Sequence, residues 1–142
     1  MRVREIMTEN PVYGLRETNL QEIAQMMVEY DCGSIPVVEN QKSLRPIGVV
    51  TDRDIVCRIV AEGLNPLEMT AADCMSSPVV TVTPETSVEA CGQLMEDHQV
   101  RRIPVVDQNG SIYGMVAQAD LALNAPRQVT AEVVQEVSEP NY

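Results

Sequence analysis

The sequence predicts an α+β fold made of two copies of one β-α-β-β-α unit, and three observations support it. Sliding the 142-residue chain along itself by 68 positions aligns Met7 with Met75, and Ile-Pro-Val-Val at residues 35–38 with the same run at 103–106. The offset becomes 66 at Gly48 and Gly114, because the first copy has a longer hairpin loop. Helical and strand periodicities alternate within each copy. We therefore expect two repeats that pack sheet to sheet into one core.

Each predicted unit opens with a lead segment, followed by a short β-rich run. The leads are residues 3–7 and 71–75, and a proline follows each of them, at Pro11 and Pro78. Residues 79–82, Val-Val-Thr-Val, are the clearer of the two β-rich runs, because valine and threonine favour strands.

The first helix of each unit is predicted from an N-cap signal followed by helical periodicity. Thr18 and Thr86 are the predicted N-caps, and a Gln or Glu three residues later completes each capping box. We interpret the apolar stripe that follows as core packing. Its members are Leu20, Ile23, Met26, Met27 and Tyr30 in the first copy, and Val88, Cys91, Leu94 and Met95 in the second.

A β-hairpin and a closing helix complete each unit. The Ile-Pro-Val-Val run is the first hairpin strand, with its proline predicted at the strand start, where a missing N–H is tolerated. Asp-Gln-Asn-Gly at residues 107–110 predicts a tight turn, and residues 39–46 predict a longer one. The returning strands are residues 47–50 and 112–116, and the closing helices are residues 52–60 and 118–124.

The duplication also sets the expected domain boundaries. Residues 1–62 form the first repeat, residues 63–70 a linker, and residues 71–125 the second repeat. Residues 126–142 form an acidic C-terminal tail, in which residues 131–137 are a predicted short helix. The tail is expected to pack on the core or on a partner.

Composition and charge restrict the classes of function. Ten basic against 21 acidic residues give a net charge of −11, which opposes binding to nucleic acid. No apolar run approaches the roughly 18 residues that a membrane span needs. The first residues lack the apolar core of a signal peptide. We therefore expect a cytoplasmic protein that binds neither nucleic acid nor membrane, with an aliphatic core, since Phe and Trp are absent.

The residues typical of catalytic and metal sites are sparse. The four cysteines (Cys32, Cys57, Cys74 and Cys91) form no C-x-x-C pair, and His98 is the only histidine, so we predict no metal site. We interpret the cysteines as reduced thiols that act as small buried hydrophobic groups. The sequence contains neither a G-x-x-x-x-G-K-[ST] phosphate loop nor a G-x-G-x-x-G motif. We therefore predict that the protein is not an enzyme.

The repeated motifs, taken together, resemble the CBS domain. Each copy has a Met followed closely by a Pro, then Ile-Pro-Val-Val, and the first copy ends in Gly-h-h-Thr-x-x-Asp at residues 48–54, where h is apolar. The resemblance covers residues 1 to about 125. It implies a CBS pair, or Bateman module, with two repeats related by a pseudo-twofold axis. Such modules commonly bind AMP, ADP or ATP, and sometimes S-adenosylmethionine or NAD-type ligands, in clefts between the repeats.

Thr51 and Asp54 are the candidate ribose-binding residues of the first cleft. The resemblance implies that the Asp accepts hydrogen bonds from the ribose hydroxyls and that the Thr contacts ribose or phosphate. A carboxylate can accept from both hydroxyls of a cis-diol, and the spacing places both side chains on one opening helical turn, whose free N–H groups favour an anion. The alternative is that Thr51 simply N-caps the helix, with Asp54 as its N3 partner.

Arg101 and Arg102 are the candidate phosphate-binding residues. The resemblance implies that they reach the cleft of Asp54 from the other repeat. Each guanidinium would supply charge-assisted hydrogen bonds of about 1.5–3 kcal/mol. The alternative is one exposed arginine and one arginine paired with an acidic neighbour.

The second cleft has fewer of these residues. Ala117 replaces the threonine, and Gly33 and Ser34 replace the two arginines, although Asp120 is retained. We therefore predict one competent site and one weak or empty site. By the same resemblance, Val12 and Tyr13, together with the run Ser34 to Val37 that contains Ile35 and Pro36, are expected to cradle the base. Tyr13 either stacks on adenine or covers the edge of the core, and both interpretations stay open.

The resulting hypothesis is a regulatory module that senses an adenosine nucleotide, needs no metal and signals to a protein client. Homodimerisation is expected by resemblance, because CBS pairs often assemble through their helices. The alternative is a nucleotide-independent stress-response or protein-interaction module, in which the thiols or the dimer surface act. In both cases the client is not identified by the sequence.

Overall fold

The fold consists of two packing units. Each unit contains the lead segment of one sequence copy and the remaining elements of the other copy. The computed structural model describes residues 1–124, so the predicted helix at 131–137 lies outside the described residues. The first-copy unit is Val12–Val79, and the second-copy unit combines Met1–Pro11 with residues from Val80 onward. No helix within residues 1–124 has the length and apolar character needed to cross a membrane.

The first-copy unit contains a helix, a hairpin and a closing helix in the predicted order. Strands β2 (Ser34–Val38) and β3 (Pro46–Thr51) pair antiparallel, with Ile35 opposite Val50. Its closing helix begins as an α-helix and continues with π-helical hydrogen bonding. The elements are α1 (Leu20–Glu29), β2 (Ser34–Val38), β3 (Pro46–Thr51), α2 (Asp52–Asp54), the π-helical stretch Ile55–Val60, a 3-10 turn (Pro66–Glu68) and α3 (Ala71–Cys74).

The second-copy unit repeats this arrangement and adds an edge strand from the start of the chain. In its sheet, β5 (Ile112–Ala117) lies between β1 (Thr8–Glu9) and β4 (Arg102–Val106), and both strand pairs are antiparallel. The α+β class and the two copies are therefore confirmed. The elements are a 3-10 turn (Val3–Glu5), β1 (Thr8–Glu9), α4 (Val88–His98), β4 (Arg102–Val106), β5 (Ile112–Ala117) and α5 (Gln118–Asn124).

The first predicted strand of each repeat is much shorter than expected. In the second-copy unit, Val82 forms a single parallel bridge with Val105, and in the first-copy unit Gly14 does the same with Val37. The backbone N–H of Val82 donates to the Pro104 carbonyl at 3.1 Å. The predicted β-rich run of each copy, including residues 79–82, is thus reduced to one bridging residue beside the hairpin of its unit.

The predicted helix caps at Thr18 and Thr86 were wrong by one residue. Asn19 caps α1 by accepting from Glu22 N–H, and Ser87 caps α4 by accepting from Ala90 N–H. The two threonines close the preceding turn instead: Thr18 Oγ1 accepts from the Leu15 N–H at 2.9 Å, and Thr86 makes the matching contact. In both copies the residue after the threonine can also cap a helix, which explains why the observed N-cap lies one residue later than predicted.

The proline of each hairpin lies inside its strand and not at the strand start. Pro36 is the middle residue of β2, opposite Val49. Its carbonyl accepts from the Gly14 N–H, on the side away from β3. Since N–H and C=O of one strand residue point to the same side, the missing donor lies outside the β2–β3 ladder.

Each unit has its own aliphatic core, and the lead segments contribute to both. The helical stripes predicted to pack in the core do so through Leu20, Ile23, Val88, Cys91 and Met95, whereas Tyr30 is 53% exposed. The first-copy core consists of Leu20, Ile23, Ile35, Val37, Val50, Ile59, Ala71 and Cys74. The second-copy core consists of Val3, Ile6, Val82, Val88, Cys91, Met95, Ile103, Val105, Val116 and Leu121.

A glycine in each returning strand permits the lead segment to cross the strand closely. A Cβ on Gly114 would lie 2.8 Å from the Thr8 carbonyl oxygen, and a Cβ on Gly48 would lie 2.9 Å from Met75 Sδ. Both values are shorter than real Cβ contacts. Gly114 is therefore required for packing, independently of any ligand, because the obstructing atom is a backbone oxygen, whereas a Cβ on Gly48 would require the flexible Met75 side chain to shift.

Replacing Gly114 by alanine is expected to destabilise the protein by about 1–3 kcal/mol, because the obstructing atom is backbone and cannot rotate away. Denaturant unfolding of the full chain measures this loss. Gly63→Ala serves as a control for the presence of a methyl group, since nothing lies within 4 Å of a Cβ there, although its φ of +77° makes that variant mildly strained too. A Gly114→Ala variant as stable as the wild type would show that the crossing is looser than described.

Candidate functional site

The Thr51–Asp54 turn is a reciprocal capping box. Thr51 Oγ1 accepts from the Asp54 N–H at 3.0 Å, and Asp54 Oδ2 accepts from the Thr51 N–H at 3.0 Å. The local interpretation that Thr51 caps the closing helix therefore describes this turn correctly. The same bonds also hold both side chains in one conformation at the end of β3, which is the preorganisation that a binding site needs.

The capping box leaves part of both side chains available for a ligand. Asp54 Oδ1 has one contact, the Arg58 Nε at 3.8 Å, which is too long for a hydrogen bond. The Asp54 side chain is 13% exposed. Thr51 uses its oxygen as an acceptor, so its hydroxyl proton remains free to donate. Together the two residues can accept from a diol and donate to an oxygen.

Ser34 lies beside this turn and has a buried hydroxyl with no partner. It pairs with Thr51 in the β2–β3 ladder, so the two side chains lie on the same face of the hairpin. Ser34 is 7% exposed, and within the described residues its Oγ makes no hydrogen bond. Leaving a buried hydroxyl unpaired costs about 1–3 kcal/mol, so this atom is a favourable position for a ligand polar group.

The predicted base-binding residues all lie in the first-copy unit. Val12 and Tyr13 are half-buried and Pro36 is buried on the face shared with Ser34. Ile35 is fully buried in the core of its own unit, since side chains alternate along β2. Ile35 can therefore offer a ligand its backbone but not its side chain.

Arg101 and Arg102 stand at the start of β4 in the second-copy unit. The Arg101 carbonyl accepts from the Gln118 N–H at 2.8 Å, and Arg102 pairs with Ala117. Arg101 is exposed and Arg102 half-buried. Within residues 1–124 neither guanidinium has an ion-pair partner, in contrast to the alternative in which one of them is paired.

The second copy of the turn keeps only half of the capping box. Asp120 Oδ2 accepts from the Ala117 N–H at 2.7 Å, but Ala117 has no hydroxyl to return the bond. At the position matching Arg101, the first copy has Gly33, where a Cβ would lie 2.9 Å from Asp52 Oδ2. The Asp52 carboxylate thus occupies the space next to Gly33 that a side chain at this position would enter.

Arg58 is a site residue that the sequence did not reveal. Its Nη1 donates to the Cys74 carbonyl at 3.2 Å and to the Met75 carbonyl at 3.4 Å, while Nε faces Asp54. Burial raises the pKa of the Cys74 thiol, as does the nearby Asp54 carboxylate, and the Arg58 guanidinium lowers it. The π-helical stretch that carries Arg58 is a type of irregularity often found at functional sites.

The cysteines were predicted to be buried, and this holds for two of the four. Cys74 and Cys91 are buried, Cys32 is half-buried and Cys57 is exposed. Burial raises the pKa of the Cys91 thiol to about 11. The prediction was wrong for Cys57, because that residue lies on the outer side of the closing helix. Within the described part of the chain, no group of three or more His, Cys, Asp or Glu side chains is placed to hold a metal ion.

Relatives of the chain include small proteins of similar length and longer ones. Hypoxic response protein 1 of Mycobacterium tuberculosis is 32% identical over 137 residues, which are 96% of this chain and 94% of that protein. Protein MK0525 of Methanopyrus kandleri is 40% identical over 119 residues, 84% of this chain, and the match spans 60% of its length.

Solved structures with the same fold include ligand and metal complexes. Hypoxic response protein I, solved with two coordinated zinc ions, superposes with a TM-score of 0.79 at 33% identity, covering 89% of this chain and 100% of that one. The CBS domain protein PAE2072 of Pyrobaculum aerophilum, solved with AMP, superposes with a TM-score of 0.80 at 27% identity, covering 95% and 99%.

The family comparison covers almost the whole of the described chain. The family model for the CBS domain matches residues 3–61 and again residues 71–125. These two matches coincide with the two copies found by sliding the sequence along itself. The chain belongs to the CBS-domain family, and it is a pair of CBS repeats.

Proposed function

We propose that this CBS pair is a regulatory module that binds AMP, ADP or ATP between its repeats and passes the bound state to a protein client. The observation that carries the proposal is the Thr51–Asp54 turn. Its capping box fixes both side chains, while Asp54 Oδ1 and the Thr51 hydroxyl proton have no hydrogen-bond partner among residues 1–124. In the proposed complex Asp54 accepts from the ribose hydroxyls.

Arg101 and Arg102 bind the phosphates in this proposal. Neither guanidinium is neutralised by an ion pair within residues 1–124, so their charge is available to an anion. On a chain with a net charge of −11, two adjacent cations are a local exception. Val12, Tyr13 and Pro36 would contact the base, and the unpaired Ser34 hydroxyl supports a polar ligand near this hairpin.

The proposal includes a second and weaker site around Asp120. Ala117 supplies no hydroxyl, and the Asp52 carboxylate beside Gly33 would repel a phosphate.

The binding of AMP by PAE2072, which has 27% identity to this chain, supports an adenosine nucleotide as ligand class. A homodimer is the proposed assembly, by resemblance to CBS pairs that assemble through their helices.

Titration calorimetry of the full chain with AMP, ADP, ATP and adenosine tests the proposed function. One saturable site per chain is expected for at least one nucleotide, with a second site that is at least tenfold weaker. Adenosine, which lacks phosphates, should bind less tightly than the nucleotides. No heat with any nucleotide would contradict the proposal.

Exposed Cys57 favours a second candidate function, a thiol-dependent module without a nucleotide. Iodoacetamide at pH 8 is expected to modify Cys57 rapidly in the native protein, and Cys74 and Cys91 only after unfolding, because their thiols are buried and their pKa is raised. Mass spectrometry counts the labels, and Cys57→Ser should remove the rapid label.

An oxidant separates the two candidate functions. A Cys57-dependent change in mass or oligomer size under mild oxidation, without nucleotide binding, would favour the thiol module. Unchanged mass and size, with nucleotide binding, would favour the nucleotide sensor.

A further inference from the structure

One arginine joins the Asp54 turn to the segment that opens the second repeat in the sequence. Arg58 lies in the π-helical stretch, four positions after Asp54. Its Nε is 3.8 Å from Asp54 Oδ1, and its Nη1 donates to the Cys74 and Met75 carbonyls at 3.2 and 3.4 Å. A single side chain therefore contacts both the candidate ribose carboxylate and the backbone of residues 74–75.

The same segment packs on the strand that leads into the site. Val49 and Ser76 exchange two backbone hydrogen bonds, of 3.1 Å and 2.9 Å. The Met75 side chain crosses Gly48 closely, since a Cβ on that glycine would lie 2.9 Å from Met75 Sδ and 3.0 Å from the Ser76 carbonyl oxygen. Residues 74–76 are thus docked on β3, a short distance along the chain before Thr51.

The second copy has no matching arginine. Asn124 stands at the position of Arg58, and it is uncharged. The lead segment of the second-copy unit is held elsewhere, by ion pairs of Arg2 and Arg4 with Glu85, which precedes α4. The arginine link is therefore confined to the copy that retains both Thr51 and Asp54.

We propose that Arg58 is a positioning residue that couples the Asp54 carboxylate to the docking of residues 74–76, so that a ligand bound by Asp54 stabilises the docked segment. The ligand part rests on the nucleotide site proposed above. The carboxylate orients the guanidinium, and the oriented guanidinium holds the two carbonyls. Because such coupling is reciprocal, whatever fixes Asp54 also favours docking, and docking favours the binding-competent Asp54.

Amide hydrogen exchange at Val49 and Ser76, measured by NMR on the full chain without ligand, reports the docking directly. Arg58→Gln is expected to raise exchange about three- to tenfold, because its hydrogen bonds to the two carbonyls are lost. Asp54→Asn should raise it about twofold in the wild-type background, since the guanidinium loses its anchoring charge. In the Arg58→Gln background, Asp54→Asn should have no further effect.

Arg53→Gln is the matched control, since it removes the same charge from the same helix. Arg53 is exposed and has no ion pair within residues 1–124, so both amides should exchange as in the wild type. Unchanged exchange in Arg58→Gln, or an equal effect of Asp54→Asn in both backgrounds, would overturn the coupling. If Arg53→Gln raised amide exchange as much as Arg58→Gln does, the change in net charge would explain the effect. That result would overturn the proposed coupling as well.

AMP provides the ligand arm of the test. Saturating AMP is expected to slow exchange at Val49 and Ser76 at least twofold in the wild type, and to leave it unchanged in Arg58→Gln. Binding without any slowing in the wild type would overturn the proposed ligand coupling. If calorimetry detects no AMP binding, the nucleotide site is wrong, while the ligand-free comparison still decides whether Arg58 couples Asp54 to the segment.

Discussion

Asp54→Ala is expected to weaken nucleotide binding at the competent site by roughly 100-fold or more. The variant removes two charge-assisted hydrogen bonds from the ribose hydroxyls, each of about 1.5–3 kcal/mol, and a loss of about 3 kcal/mol corresponds to that factor. Titration calorimetry with the best nucleotide measures it. The variant also loses one half of the capping box, so thermal unfolding should show a destabilisation of about 1 kcal/mol.

Asp73→Ala is the matched control for that loss of stability. Thr70 and Asp73 form the same capping box at the start of α3, with Asp73 Oδ2 accepting from the Thr70 N–H at 2.7 Å. The control should lose a similar amount of stability and keep its affinity. Equal affinities for wild type and Asp54→Ala would sink the assignment of Asp54 to the ribose.

Replacing both Arg101 and Arg102 by alanine should cost the nucleotides at least about 3 kcal/mol of binding free energy, again a factor of roughly 100. The variant should bind adenosine as the wild type does, because adenosine has no phosphate. Stability should change little, since neither guanidinium has an ion pair within residues 1–124. Calorimetry with AMP and with adenosine provides both measurements.

Lys42→Ala combined with Arg45→Ala controls for the change in net charge. Both residues are exposed on the long hairpin loop of the first copy, and the pair changes the net charge by the same amount. An equal loss of affinity in this control would mean that long-range electrostatics, and not a phosphate contact, explains the arginine effect. Such a general effect should also disappear at about 1 M salt, because the screening length there is only about 3 Å.

The repeat made the secondary structure largely predictable from the sequence. Each element was seen twice, so an ambiguous signal in one copy was supported by the other. The structure confirms the predicted hairpin around residues 107–110 and the two predicted closing helices. Repetition did not help where both copies mislead equally. Thr18 and Thr86 are each followed by a second residue able to cap the helix, and in both copies that following residue is the N-cap.

The sequence also assigned Thr51 and Asp54 to one turn, and the structure brings them together there. The site features that the sequence did not reveal depend on contacts between residues that are distant in the chain. Arg58 gives no signal in a linear motif, because its partners are carbonyls of Cys74 and Met75, and any residue carries a carbonyl. The unpaired Ser34 hydroxyl is likewise visible only once its burial is known. Exposure of Cys57 follows from its place on the helix, two residues before Ile59, which is the buried residue of this stretch.

The exchange of lead segments sets an order of events during synthesis of the chain. The first-copy unit lacks Ala71 and Cys74 of its core until those residues have left the ribosome. Residues 1–11 are made before the first-copy unit, yet their partners Val82, Val105 and Val116 are made after it. Contacts between such distant segments form slowly, because the loop must close before they contribute. Residues 1–11 should therefore be among the last to become protected from a protease when the protein folds.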